Sequence, residues 1–153
     1  MKNISVVAGL VCMLAACGGD KDATPAADTT QAAAPAPAPA AGATHNVNMV
    51  LEGTSYKFVP SELSVKVGDQ VVFHNVSGGP HNVAFFADSI PAGAQAVIDP
   101  QFKDPLGPLS SALVVDPNAT ITVSFAGAPT GDYKFTCTPH MAMGMNGKVT
   151  VTQ

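Results

Sequence analysis

Apolar and polar positions alternate along the second two thirds of the chain, and that alternation predicts strands. Leu63, Val65 and Val67 alternate with Ser64 and Lys66; Gly68-Asp69 then turns the chain into Gln70–Asn75. Ile121, Val123 and Phe125 alternate with Thr120, Thr122 and Ser124, and Tyr133, Phe135 and Cys137 with Lys134 and Thr136. Val149 and Val151 close the chain. Period-two alternation of β-branched and aromatic residues, broken by Gly, Pro, Asn and Asp, describes half-buried antiparallel strands. Several such strands over residues 45–153 predict an all-β, two-sheet Greek-key sandwich. The stretch from Ile90 to Leu109 holds four prolines and little periodicity, and is expected to be a long connection with at most one helical turn.

The first 44 residues lack this pattern. Lys2 precedes an apolar run, Ile4–Leu14, too short to span a bilayer and suited to an export signal. It ends in Leu14-Ala15-Ala16-Cys17, which resembles the bacterial lipobox, whose cysteine receives a diacylglycerol after cleavage. Residues 1–16 are therefore expected to be a lipoprotein signal peptide. Residues 17–44, rich in Ala and Pro with the run Ala34-Pro35-Ala36-Pro37-Ala38-Pro39, form the expected tether. Such a segment favours extended polyproline II and at ~3.1 Å per residue reaches about 80 Å. The reading is an exported protein, lipid-anchored through Cys17 and facing the periplasm or cell surface.

Composition narrows the chemistry. Seven lysines, no arginine and eleven acidic residues give a net charge of −4, and no basic cluster suits nucleic acid. Of three cysteines, Cys12 and Cys17 lie in the first seventeen residues, so Cys137 is the lone thiol of the β region. A lone cysteine in an exported protein asks for a reason. Because Tyr133 and Phe135 are expected to face the core, Cys137 should also point inward, at the end of the sandwich.

Cys137-Thr138-Pro139-His140-Met141-Ala142-Met143-Gly144-Met145 places soft and borderline metal ligands on one loop at C-x2-H-x4-M spacing, and His81 follows Gly78-Gly79-Pro80 far upstream. Two imidazoles, one thiolate and a weak thioether are the donor set of blue copper. The thiolate couples strongly to Cu(II), the imidazoles suit both oxidation states, and the thioether favours Cu(I). His81, Cys137, His140 and Met145 are the expected ligands of one copper ion. Met143 is the alternative to Met145, and Met141 reads as loop packing. His74 follows inward-facing Phe73 and should meet solvent, while His45 reads as a solvated residue at the start of the domain. His140, between Pro139 and Met141, is expected to offer its ring edge to solvent for electron exchange.

At these residues the chain resembles the plastocyanins. The resemblance is carried by Gly79-Pro80-His81-Asn82-Val83 with Ser89-Ile90-Pro91-Ala92-Gly93. It continues in Tyr133-Lys134-Phe135-Thr136-Cys137-Thr138-Pro139-His140, Gly144-Met145 and Gly147-Lys148-Val149-Thr150-Val151. The copper loop, Cys137 to Met145, is also similar to that of pseudoazurin. The resemblance implies an eight-stranded cupredoxin sandwich with copper near one end. It also implies that Asn82 donates its backbone N–H to the Cys137 sulfur while its side chain ties the two ligand loops. Thr136 stands where the plant proteins carry Tyr before the Cys, Gly79 where a Phe is common, and the plant acidic run is reduced to Phe86-Ala87-Asp88.

The expected function is one-electron transfer between membrane-associated redox complexes by a monomer, with a cytochrome or membrane complex as donor or acceptor. Four protein ligands leave no open position for a substrate. Multicopper enzymes need several more histidines than His45 and His74. The alternative is a copper carrier that binds Cu(I) with Met141, Met143 and Met145.

Overall fold

A computed structural model describes residues 42–153; the expected signal peptide, Cys17 and most of the expected tether lie outside them. Eight strands alternate inward and outward residues as the period-two pattern requires. They are β1 (Thr44–Glu52), β2 (Ser55–Val59), β3 (Glu62–Lys66), β4 (Gln70–Asn75), β5 (Ala84–Phe85), β6 (Thr120–Ser124), β7 (Gly131–Thr136) and β8 (Asn146–Thr152). They form two four-stranded sheets, in the orders β2-β1-β4-β6 and β3-β8-β7-β5. β1–β4 and β3–β8 are parallel pairs and the other pairs antiparallel. The cupredoxin β-sandwich expected from the sequence is therefore present.

Register explains which side chains meet between the sheets. Val47 on β1 lies beside Phe73 on β4, which lies beside Ile121 on β6, and all three are buried. Tyr133 and Phe135 on β7 face them from the other sheet. Phe58, Phe73 and Phe135 meet edge to face, with centroids 4.8–6.0 Å apart, so one aromatic cluster bridges both sheets. The buried Tyr133 hydroxyl donates to the Pro129 carbonyl at 2.7 Å, which satisfies its polar end. Gly147 leaves room for this cluster, since a Cβ there would overlap the Phe135 ring.

The connection after β5 holds more helix than expected. Gly93 (φ +83) turns the chain into α1 (Ala94–Ile98), and a 3-10 turn (Asp99–Gln101) continues it. Ala94 and Ile98, four apart, fall on one face and are fully buried. A five-residue helix is too short to show a period in a proline-rich sequence. Gln101 then covers the edge of β6: its side chain accepts the Ser124 N–H at 2.7 Å and donates to the Ser124 carbonyl at 2.8 Å.

His45 departs from its expected place as a solvated terminal residue. It sits within β1, and its Nε2 lies 2.8 Å from the Asp69 carboxylate. That carboxylate also accepts the backbone N–H groups of Ala43 and Lys66, fastening the start of β1 to the β3–β4 turn. His74 does point away from the core and contacts Asn46 Oδ1 at 2.8 Å.

Candidate metal centre

Both sheets contribute to one end of the sandwich. β7 runs inward-facing Tyr133 and Phe135 toward Cys137, which leaves the strand with the same inward orientation and is fully buried. A 3-10 turn (Thr138–Met143) follows, with Pro139 in its first positions. It ends at Gly144, whose φ of +81 reverses the chain and favours glycine. Met145 then returns to the interior. His81 arrives from the other side, through the loop after β4, and is held by a two-way bridge with Val114. His81 N–H donates to the Val114 carbonyl at 2.9 Å and Val114 N–H donates back at 2.8 Å.

The structure thus brings His81, Cys137 and His140 together, with their donor atoms all within 4.8 Å of one another. His81 Nδ1 lies 3.5 Å and His140 Nδ1 3.4 Å from the Cys137 sulfur. The two imidazole centroids are 4.8 Å apart at 50°, so Nδ1 of each ring converges on the same space. Met145 is fully buried beside them. Its carbonyl accepts the Cys137 N–H and the Thr136 hydroxyl, both at 3.0 Å. Met141 and Met143, by contrast, are 50% and 57% exposed.

Burial governs the ionisation of the three groups. It pushes the Cys137 thiol upward, opposed by the backbone N–H groups of Asn82 and His140 aimed at it. Burial lowers both His81 and His140, and His81 is lowered further because two positive charges this close would repel. Both rings are therefore held neutral, the state in which imidazole ligates a metal. The far nitrogen of His81, Nε2, lies 3.5 Å from Ser77 Oγ, and the Gly78 carbonyl favours its protonated form. These contacts leave Nδ1 free to face the site. Two neutral imidazoles and one thiol, all buried, form a donor set that fits a soft or borderline cation such as copper.

Asn82 does what the resemblance implied. Its backbone N–H points at the sulfur. Its side-chain Oδ1 accepts the Thr138 N–H at 2.7 Å, and its Nδ2 donates to Thr138 Oγ1 at 3.1 Å and Ser110 Oγ at 3.0 Å. One buried amide thus locks the His81 loop to the Cys137 loop.

His140 differs from expectation. It is only 5% exposed, because Tyr56 lies flat against it, with ring centroids 3.6 Å apart and an interplanar angle of 11°. Tyr56 was not picked out from the sequence. The available signal was Tyr56-Lys57-Phe58, which puts Tyr56 on the same face of a strand as a core phenylalanine.

Known proteins with this arrangement are found on both sequence and structure. The family model described as "Copper binding proteins, plastocyanin/azurin family" matches residues 45–152. A plastocyanin from Sambucus nigra is 38% identical over 100 residues, covering 65% of this chain and 92% of that protein. A plastocyanin from Ginkgo biloba is 39% identical over 100 residues, covering 65% and 91%. A mutant fern plastocyanin superposes with a TM-score of 0.56 at 27% identity, covering 70% of this chain and 99% of that one. A Sinorhizobium pseudoazurin gives 0.51 at 25% identity, covering 72% and 74%. With its sandwich, its converging His–Cys–His donors and a match across most of its length, the chain belongs to the plastocyanin/azurin family of copper-binding proteins.

Proposed function

We propose that His81 Nδ1, Cys137 Sγ, His140 Nδ1 and the Met145 thioether hold the single copper of this protein. The observation that carries the assignment is the buried convergence of both Nδ1 atoms on the Cys137 sulfur. The protein is a type 1 copper electron carrier and not an enzyme. Bound copper supplies a one-electron Cu(II)/Cu(I) couple. The residues supply a fixed cage: the imidazoles enter already neutral, Cys137 gives up its thiol proton, and buried Met145 keeps water from the remaining side. The Cu(I)-carrier alternative is disfavoured by Met141 and Met143, which turn to solvent instead of converging.

The assignment is tested by adding Cu(II) to the metal-free protein. Wild type should turn intensely blue through thiolate-to-copper absorption, and Cys137→Ser should bind without that band while keeping its β-type circular dichroism. An equally blue Cys137→Ser variant overturns the assignment.

The same reading extends to location. Leu14-Ala15-Ala16-Cys17 and the Ala/Pro run support export, a diacylglycerol on Cys17 and a tether from membrane to domain. A monomer on such a tether can exchange electrons with redox proteins in or near that membrane. Cys17→Ala should leave the protein in the soluble fraction after cell rupture; a variant that still sediments with membranes after a high-salt wash refutes the anchor.

A further inference from the structure

Tyr56 has no place in the ligand set, yet it makes the closest ring contact of the metal centre. β2 is an edge strand with inward residues at alternate positions, Tyr56 and Phe58. Phe58 enters the aromatic core against Phe73 and Phe135. Tyr56, two residues nearer the Cys137 end, passes beyond the core and packs on the 138–143 turn. There its ring stacks on His140 at 3.6 Å and 11°, and its edge meets His81 at 5.8 Å and 62°. It is half-buried, while His140 beneath it is buried. The phenol ring is thus a layer between His140 and solvent, in contact with both imidazoles of the site.

We propose that Tyr56 is a positioning residue of the copper centre: its ring fixes the plane of the His140 imidazole so that Nδ1 stays aimed at Cys137. Hydrogen bonds between Cys137, Met145 and the backbone of the 138–143 turn fix the path of the loop. Rotation of the His140 ring about its own bonds is a separate freedom. A flat aromatic neighbour opposes it, because rotation out of the plane breaks the stack. An aromatic pair of this kind adds enough to an equilibrium to change it about two- to tenfold. The restraint matters most for Cu(I), which tolerates three ligands and so depends on the protein to keep His140 in place. It also follows that a redox partner approaching this side meets the Tyr56 ring before the imidazole.

This inference rests on the copper assignment above, and the two fail separately. In the full-length Cu(I) protein, nuclear Overhauser cross-peaks should connect the Tyr56 and His140 ring protons. Tyr56→Leu should keep the blue Cu(II) band but release Cu(I) to a chelator such as bicinchoninate about two- to tenfold faster. It should also lower the reduction potential, since losing a restraint that matters most for Cu(I) weakens the reduced centre more than the oxidised one. Tyr56→Phe, which keeps the stack and loses the hydroxyl, should match wild type in rate and potential. A wild type that never turns blue defeats the copper assignment. A blue wild type without those cross-peaks defeats the role of Tyr56 even if Tyr56→Leu does not fold, and so does a Tyr56→Leu protein with wild-type release and potential.

Discussion

Asn82→Ala should destabilise the metal-free protein substantially while leaving its copper chromophore recognisable. Asn82 is fully buried and makes three side-chain hydrogen bonds, at 2.7, 3.0 and 3.1 Å. Each such bond contributes about 0.5–1.5 kcal/mol net, and a buried partner left unsatisfied costs about 1–3 kcal/mol. Ser110 is buried and cannot recover its lost donor from water. Thr138 is exposed and can rehydrate in part, so the lower end of the range applies to it. The sum is a loss of about 2–4 kcal/mol. With a urea m-value of about 1.5 kcal/mol/M, the unfolding midpoint should fall by about 1–3 M. Working without copper removes the stabilisation that ligand binding would add. Because the chain has no tryptophan, circular dichroism is the natural probe. The backbone N–H that faces the Cys137 sulfur survives the substitution, so the reconstituted variant should still be blue. A loss below about 1 kcal/mol would mean that the cross-link between the two loops is not what holds them.

Met145→Leu should keep the blue colour and raise the reduction potential, because loss of a weak donor destabilises Cu(II) more than Cu(I); Met143→Leu, at an exposed position, should shift it less, and the reverse order identifies Met143 as the axial ligand. The metal-free protein should lose stability as pH falls below about 6.5. His81 and His140 are lowered from 6.5 when folded, so the unfolded chain takes up protons first. A urea midpoint that stays flat from pH 7 to pH 5 contradicts this. At the other extreme Cys137, raised from 9.0 by burial, makes stability fall as pH climbs past about 9; Cys137→Ser should move the onset of that limb up to about 10, where buried Tyr133, raised from 10.0, takes over.

Much of this was legible in the residues, for identifiable reasons. Alternation revealed β3, β4, β6, β7 and β8 because each has one face on a dry core, and it also gave the inward direction of Cys137. The spacing of the candidate ligands was legible because Cys137, His140 and Met145 lie on one short stretch of chain, and His81 stood out after a Gly-Gly-Pro loop. Other contacts are not local. His45 reaches Asp69 across 24 positions, and Asn82 reaches Thr138 across 56. Tyr56 meets His140 across a still longer separation, through an edge strand and a turn whose meeting depends on how both sheets stack. Pattern within a strand gives the face of a residue, and the partner waiting on that face is set by the fold. The role of Asn82 was legible only through the family resemblance.

The division of the candidate ligands between the two sheets bears on how the centre works. His81 follows β4 of one sheet, and Cys137 follows β7 of the other, so the distance between them is set by sheet spacing. That spacing is filled by Phe58, Phe73 and Phe135, rigid rings in close contact, which resist change far more than a loop could. Asn82 and the Val114 bridge then fix the loops on that frame with hydrogen bonds that need no metal. Two of the donor pairs are already 3.4 and 3.5 Å apart in the protein alone. A centre assembled by the core before the metal enters gives each oxidation state almost the same cage. The cost of rearrangement at each electron transfer then stays small, and this follows from aromatic packing and one buried amide as much as from the ligands themselves.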